Sequence, residues 1–324
     1  MQITLVSCPN GVGHFKRLLN LASYLKKDKI NLVCTEKQKK KFKNKIKKNI
    51  KLKPILKDIN LKSNPYPKLL SFYKQDFLKY NFFHNSDVII SDNIINKSFY
   101  KNHFFMISNF FWSEVEPLNS KYKKKYLKIE DAFIKKNIFF TNKFFCTKKA
   151  EKYGKKLNFV NDDFQQNKFL NSYRKNIFIY LGSNERINKN FYLNLKKLNY
   201  KIFTNNEKLI KAGFKRFNFS KKSFSRLKFI FTKAGLGSIT DSIKHKVPLI
   251  ILRNRKNLEY ENNLKKVLKY NIGSYIERDI SLTNLRKEID FIDKKRYSQF
   301  LKSFDRFKFN GSEKIRKFIK IYEK

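Results

Sequence analysis

The chain has 324 residues, a formal net charge of +48 and 31% charged residues. This length suits two domains with separate cores, and the absence of any run of 18 or more apolar residues argues against a transmembrane helix. No basic segment followed by a long apolar run opens the chain, so a secretory signal is not predicted. We expect a cytoplasmic location.

The three cysteines, Cys8, Cys34 and Cys146, are widely spaced and odd in number. Their spacing matches neither a zinc site nor a disulfide framework. Buried free thiols in a reducing compartment are therefore expected, and the sequence predicts neither a metal nor a cofactor.

The positive charge comes mainly from lysines that are spread along the chain. Proteins that read nucleic-acid sequence use arginine for bidentate contacts and cluster it. Lys, Asn, Ile and Phe are all over-used, and all can be encoded by A and T alone, which indicates a base-composition bias. We therefore predict no specific nucleic-acid partner, but weak attraction to an anionic membrane face and to phosphorylated ligands. The lysine-rich run 36–53 predicts a solvated helix.

In the first half, apolar segments alternate with amphipathic ones. Strands are predicted at 3–8, 30–35, 50–55, 87–91, 104–108 and 137–141, and helices at 14–26, at 120–136 and, as a short segment, between the fourth and fifth strands. The polar, aperiodic segment 161–176 is interpreted as the interdomain linker.

The same pattern then restarts. Strands are predicted at 177–182, 201–204, 228–232 and 248–252, helices at 236–245 and 259–270, and a helical tail from 283 onward. Such alternation predicts parallel sheets covered on both faces. The predicted fold class is α/β, with two Rossmann-like domains that face each other across a cleft. We place the domains at 1–165 and 166–324, with the last helix packing back on the first domain.

The segment ITLVSCPNGVGHFKR runs from a predicted strand into a helix. Gly11 and Gly13 follow the strand, His14 opens the helix, and Arg17 lies one turn later on the same side. A helix N-terminus disfavours imidazolium, so His14 is predicted to be neutral and to act as a cleft-facing base. The alternative is a packed histidine that is hydrogen-bonded to the backbone.

The segment FTKAGLGSITDS has the same strand–turn–helix pattern. Gly235 and Gly237 allow a tight turn and the close approach of a ligand, and the amides of the first helical turn can hold an anion. Ser238 adds a hydroxyl donor, and Asp241 can accept hydrogen bonds from a ribose diol. The alternative is an ordinary β–α turn that uses glycine for packing.

Other candidate residues also follow predicted strands. Gly182 and Ser183 could offer donors to a phosphate. Asp92 is either a second cleft carboxylate and reserve base or a turn residue, and Trp112 is either a core residue or a platform for the acceptor. Glu259 either reaches a sugar hydroxyl or is a solvated residue at a helix start.

Taken together, these blocks resemble the GT-B glycosyltransferase superfamily, in the MurG-like branch of glycosyltransferase family 28 type, over both halves of the chain. The resemblance implies that the loop at Gly235, Gly237 and Ser238 meets the donor diphosphate. It also implies that Asp241 takes the acidic position that meets the ribose and that Glu259 contacts the donor sugar. Asp241 departs from the family pattern, because the usual residue is the longer Glu.

The opening GVGHFKR, together with SDN and SNFFW, is similar to the glycosyltransferase-like half of plant L-arabinokinase. The opening is also similar to the UDP-sugar hydrolase of pseudaminic acid synthesis, in which the motif histidine is the proposed base. The resemblance predicts a metal-independent glycosyltransferase with a nucleotide-sugar donor, foremost a UDP-sugar, and a hydroxyl acceptor in cell-envelope glycan synthesis. The alternatives are a sugar-nucleotide hydrolase of the same fold and a basic, non-catalytic protein that binds polyanions or membranes.

Overall fold

In the computed structural model, the chain divides into two compact units. The N-terminal unit comprises Met1–Phe164 and Lys308–Lys324, and the C-terminal unit comprises Gln165–Phe307. The structure describes residues 1–10, 12–59, 66–115, 120–160, 175–181, 193–194, 196–255, 257–277 and 280–323. Most of the predicted linker, 161–174, lies outside these residues.

The N-terminal unit contains a seven-stranded parallel sheet in the order β3-β2-β1-β4-β5-β6-β7. Its strands are β1 Gln2–Val6, β2 Lys29–Thr35, β3 Ile50–Leu56, β4 Val88–Asp92, β5 His103–Ile107, β6 Ile138–Asn142 and β7 Lys155–Leu157. Its helices up to residue 153 are α1 Gly13–Tyr24, α2 Glu36–Phe42, α3 Tyr66–Lys74, α4 Asn81–His84, α5 Trp112–Val115, α6 Ser120–Lys136 and α7 Lys148–Tyr153.

The C-terminal unit contains a six-stranded parallel sheet in the order β10-β9-β8-β11-β12-β13. Its strands are β8 Asn176–Tyr180, β9 Lys201–Thr204, β10 Lys215–Arg216, β11 Leu227–Thr232, β12 Leu249–Leu252 and β13 Gly273–Ile276. The helices from residue 207 onward are α8 Glu207–Lys211, α9 Lys221–Ser225, α10 Leu236–His245, α11 Leu258–Lys269, α12 Leu282–Phe291, α13 Tyr297–Ser303 and α14 Gly311–Ile319.

Both faces of the first sheet are covered, as the apolar strands require. Alternate residues such as Leu5 face α1, where Phe15 and Leu18 are fully buried. The C-terminal helix α14 adds Ile315 to the same core. Val6 belongs to the core on the opposite face, with residues of α3 and α6. Helix α14 thus packs on the N-terminal unit, although it follows the C-terminal unit in sequence.

All ten strands named in the sequence are present, with bounds shifted by at most two residues. The three strands that the sequence analysis missed are β7, β10 and β13, and each forms the edge of its sheet. Edge strands are short and need no apolar residues on their open side, so they give little sequence signal. The lysine-rich run 36–53 was wrongly predicted as one helix, because α2 ends at Phe42 and β3 begins at Ile50.

No helix in the described part of the chain is long and apolar enough to cross a bilayer. The three cysteines are buried and unoxidised, as their spacing predicted. Burial raises the pKa of the Cys8 and Cys34 thiols to about 12, so both remain neutral.

Candidate functional site

Each sheet contains one point at which the order of its strands reverses. In the first sheet β1 lies between β2 and β4, and in the second β8 lies between β9 and β11. The connections on the two sides of such a point leave in opposite directions, which opens a crevice at the carboxyl ends of the strands. The two glycine-containing segments are the turns that follow β1 and β11. Each unit therefore presents one predicted motif at its own switch point.

The turn after β1 leads into α1 without a side-chain cap. The N-cap residue is Val12, whose side chain makes no capping hydrogen bond. The first turn of α1 contains no acidic residue, so any negative charge at this end of the helix comes from another element. His14 lies in this turn, with its side chain 15% exposed.

The structure brings together three of the residues that were singled out separately in the sequence. His14 Nδ1 lies 2.7 Å from Oδ1 of Asp92. Arg17 donates from Nε to Oδ2 of the same carboxylate at 2.6 Å and from Nη2 to Oδ1. The Asp92 side chain is completely buried at the end of β4. The network joins the start of α1, which follows β1, to the end of the neighbouring strand β4.

Asp92 is ionised in this setting. Burial by itself raises the pKa of a carboxyl group, but the charges and hydrogen bonds of Arg17 and His14 more than offset that effect and hold the pKa of Asp92 below its usual range. An ionised carboxylate can only accept, so Nδ1 of His14 is the donor. Nε2 of His14 makes no hydrogen bond within the described part of the chain, and its lone pair can take a proton.

The turn after β11 also leads from a strand into a helix, but its side chains differ from those of the first turn. Helix α10 begins at Leu236, its N-cap is Gly235, and its first turn contains no acidic residue. The side chain of Ser238 turns back into the loop, where its hydroxyl accepts from Thr232 Oγ1 at 2.9 Å and lies 2.9 Å from the carbonyl of Gly235. The hydroxyl predicted to meet a phosphate is therefore engaged internally. The backbone amides of 236–238 are the donors that remain at this end of the helix.

Three glycines of the two turns are not required by the protein's own packing. Among the described residues, a Cβ added at Gly13 or Gly237 would meet nothing within 4 Å, and one at Gly235 would make only ordinary contacts of 3.8 and 3.9 Å. Gly235 has φ −76°, which any residue adopts. By contrast, a Cβ at Gly273 would lie 2.4 Å from a neighbouring carbonyl oxygen. The open space beside these turns is what a closely approaching ligand needs.

The remaining donor-side candidates are only partly described. Asp241 lies half-buried on α10, and Glu259 lies half-buried in the first turn of α11. Both make contacts within the protein. Gly182 and Ser183, like Gly11 of the first turn, lie outside the described residues.

Trp112 is mostly core. Its side chain is 8% exposed, packs edge-on against Phe110 at 5.2 Å between ring centroids, and donates from Nε1 to the carbonyl of Asn93 at 3.3 Å. One edge lines a small cavity of about 30 Å³ together with Asn93 and Tyr126. The volume is enough for about two waters, so the indole is not an open platform for an acceptor.

Sequence reasoning passed over two residues beside the second turn. Lys233 follows β11 directly, and its Nζ lies 5.4 Å from the ring centroid of Tyr260, which adds positive charge next to the bare helix start. Asn263 of α11 is buried and donates from Nδ2 to the carbonyl of Ala234 at 2.9 Å, so it ties that helix to the loop. A lysine at a strand end could have been noticed, whereas the role of Asn263 depends on tertiary packing.

No group of three or more His, Cys, Asp or Glu side chains in the described ranges is placed to hold a metal ion. The acidic side chain at the first switch point already has Arg17 and His14 as partners.

No protein-family model matches the sequence, and a search of curated proteins finds no similar sequence. Solved structures nevertheless resemble the whole chain. A UDP-glucosyltransferase from Polygonum tinctorium, capable of glucosylating indoxyl, has a TM-score of 0.71 at 10% identity, over 100% of this chain and 98% of that one. UGT2 from Phytolacca americana, complexed with UDP-2-fluoroglucose and pterostilbene, has 0.68 at 10% identity over 100% of both chains. MurG from Acinetobacter baumannii has 0.63 at 13% identity, over 98% and 99%.

These similarities confirm the predicted fold. The chain has the GT-B fold, with two Rossmann-like α/β domains, and it is similar to glycosyltransferases that include MurG. At such low identities the comparison establishes the architecture, and any argument about the reaction has to start from the two switch points.

Proposed function

We propose that the chain is a metal-independent glycosyltransferase that moves a sugar from a nucleotide-diphosphate donor to a hydroxyl acceptor. The observation that carries this proposal is the His14–Asp92 contact of 2.7 Å at the switch point of the N-terminal unit. A buried carboxylate that orients a histidine, whose other nitrogen has no hydrogen bond in the described chain, is the arrangement of a general base.

In the proposed reaction, Nε2 of His14 takes the proton of the acceptor hydroxyl as its oxygen attacks the anomeric carbon. Asp92 accepts from Nδ1–H and stabilises the imidazolium that forms. The bond between the anomeric carbon and the diphosphate oxygen breaks, and its electron pair stays on the leaving diphosphate. The proton on His14 is later released to solvent.

The C-terminal unit would bind the donor. The developing charge on the diphosphate needs donors that are fixed before the reaction. The uncapped amides at the start of α10, the dipole of that helix and the positive charge of Lys233 meet this need. Asp241 and Glu259 are the proposed partners of the ribose and the donor sugar, and Gly182 and Ser183 complete the proposed donor site. We place UDP-sugars first, because two of the similar structures are a UDP-glucosyltransferase and a complex with a UDP-sugar analogue.

A ligand panel followed by a transfer assay tests the proposal. The first step measures thermal shifts with UDP-, GDP-, CMP- and dTDP-sugars, since a ligand that binds the folded state raises the melting temperature. The second step measures release of nucleotide diphosphate from the stabilising donor with a panel of alcohols. Failure of every sugar nucleotide to shift the melting temperature, with no transfer detected, would contradict the proposal.

Hydrolysis of the sugar nucleotide is the second candidate, because the same His14–Asp92 pair could activate a water molecule. Release of free sugar at the same rate with and without an acceptor alcohol would favour the hydrolase. Acceptor-dependent release, with the sugar recovered on the alcohol, would favour the transferase.

We also propose a cytoplasmic location with weak attraction to an anionic membrane face and a role in cell-envelope glycan synthesis. The support is the net charge of +48, which attracts anionic lipid headgroups through long-range electrostatics. Co-sedimentation with phosphatidylglycerol vesicles that disappears as salt rises is the expected result. Binding that is equal for neutral phosphatidylcholine vesicles would contradict an electrostatic attraction.

A further inference from the structure

Arg17 has no place in the proton transfer described above, yet its side chain makes a two-point contact with Asp92. Nε donates to Oδ2 at 2.6 Å, and Nη2 donates to Oδ1, the same oxygen that accepts from His14. The Arg17 side chain is only 17% exposed. Its guanidinium therefore contacts the buried carboxylate, while the cleft-facing role predicted from the sequence stays a prediction.

The contact matters because a buried carboxylate has two ways to avoid an unpaired charge: it can bind a proton, or it can pair with cations. The guanidinium supplies a permanent positive charge in a geometry that matches both carboxylate oxygens. Asp92 stays ionised and is fixed in orientation, so that Oδ1 points at Nδ1 of His14.

The same contact also acts on the charge of His14. Asp92 alone would favour imidazolium, since an opposite charge at hydrogen-bond distance stabilises the charged form. Arg17 shares Oδ1 with His14, so a proton on His14 would place a second positive charge beside the guanidinium, and the attraction of Asp92 for that proton is partly offset.

The other titratable groups near the network do not change this balance. Cys8, in the loop after β1, interacts with both Asp92 and Arg17, but burial raises the pKa of its thiol to about 12 and keeps it neutral. Beyond Cys8 lies Tyr126 of α6, whose pKa burial also raises. Among the groups facing Asp92 from β1, α1 and β4 in the described chain, His14 and Arg17 are the cations that act on its pKa.

We propose that Arg17 is a positioning residue that keeps Asp92 ionised and aligned and holds His14 in the neutral tautomer, with the lone pair of Nε2 available to the acceptor hydroxyl. The inference rests on the proposed function, because it assigns Arg17 to the same base. It adds that the base works at a lower pH than a histidine–carboxylate pair without the arginine.

The first test is the pH dependence of kcat/KM for Arg17→Gln and Arg17→Lys, with the donor and alcohol that the wild type uses. Removing the charge in Arg17→Gln should move the acid limb of the kcat/KM profile upward by about one pH unit. On that limb kcat/KM should be about tenfold lower than in the wild type, and it should largely recover at alkaline pH. Arg17→Lys keeps the charge and loses the two-point contact, so its limb should stay in place while turnover falls at every pH. A merely structural arginine predicts an equal loss at every pH for Arg17→Gln, and that result would overturn the proposal.

The second test does not depend on activity. Titration of the His14 imidazole by ¹H–¹⁵N NMR, with the signal assigned through His14→Gln, reports its protonation in the folded protein. The midpoint should rise by about one pH unit in Arg17→Gln and fall in Asp92→Asn, in which the guanidinium loses its counter-charge. Unchanged midpoints would overturn the role of Arg17, even in an active enzyme. Shifted midpoints in a protein without transferase activity would instead leave Arg17 as assigned and reject the proposed function.

If Arg17→Gln does not fold, Arg17→Met, which also removes the charge, takes its place beside Arg17→Lys. The proposal expects the His14 midpoint of Arg17→Lys to stay near that of the wild type and that of Arg17→Met to lie above it. Equal midpoints in these two variants would overturn the role of Arg17.

Discussion

The turns after β1 and β11 both lead from a strand into a helix, but their side chains differ. Both follow a strand at the switch point of a parallel sheet, and both open a helix without a side-chain cap. At the first turn, His14 and Arg17 form one network with Asp92 of β4, the strand beside β1 in the sheet. At the second turn, the nearby hydroxyl of Ser238 bonds inward and leaves the helix amides bare.

In the proposed function, this difference gives the two turns two kinds of chemistry. A titratable network can move a proton, and its strength depends on the charge of each member. A bare helix start binds an anion through fixed dipoles and does not titrate. Each prediction below changes one turn. A change at the first turn should alter turnover, and a change at the second should alter binding of the nucleotide diphosphate.

The largest expected effect belongs to the first turn. His14→Ala should lower turnover by roughly 10²–10⁴, the usual contribution of a positioned general base, while donor affinity stays close to that of the wild type. Melting temperature and turnover should be measured on the same preparation. His84→Ala, at an exposed histidine of α4, is the matched control and should change neither. A lower melting temperature with turnover per folded molecule retained would make His14 a structural residue and would contradict its role as the base.

The next effect belongs to the second turn. Gly235→Val should weaken binding of the nucleotide diphosphate by about tenfold or more, equivalent to at least about 1.4 kcal/mol, because the added side chain fills the space beside the amides. The fold should tolerate the change, since a Cβ at Gly235 meets only ordinary contacts. Isothermal titration with UDP and a melting curve check both points.

Gly13→Val is the matched control for Gly235→Val, since a Cβ at Gly13 meets no described atom within 4 Å and the fold should tolerate it as well. It alters the turn of the other unit and should leave UDP affinity unchanged. Equal loss of UDP affinity in both variants would contradict the proposal that the donor binds at the second turn and not at the first.

A smaller effect is expected from the residue that supports the second turn. Asn263→Leu removes the hydrogen bond to the carbonyl of Ala234, and a bond of this kind contributes about 0.5–1.5 kcal/mol net. UDP affinity should therefore fall by roughly twofold to tenfold, with a modest loss of melting temperature. Unaltered affinity would mean that the loop holds its position without α11. Asn284→Leu, at an exposed position in the first turn of α12, provides a control.

The sequence predicted both turns but not the side-chain contacts that each turn makes. Periodicity and glycine placement located His14 and Gly235 because strand–turn–helix signals are local. The joining of His14 to Asp92 depends on β1 and β4 being neighbours in the sheet, although they are about eighty residues apart in sequence. The inward rotamer of Ser238 likewise depends on Thr232 at its side. Such contacts follow from strand order and packing, which a one-dimensional pattern does not encode.

The last prediction is that removing divalent cations does not change turnover. It tests whether the groups of the second turn are enough to stabilise the charge on the diphosphate. Glycosyl transfer builds negative charge on the leaving diphosphate, and either a divalent cation or fixed protein donors can stabilise it. In the proposed function, the uncapped amides of 236–238, the α10 dipole and the positive charge of Lys233 are the fixed donors at this turn. Turnover should therefore be equal with and without EDTA, and added Mg²⁺ or Mn²⁺ should not raise it. Loss of turnover in EDTA that Mg²⁺ or Mn²⁺ restores would mean that a cation does the work assigned to the helix start, and Gly235→Val should then be re-examined in the presence of that cation.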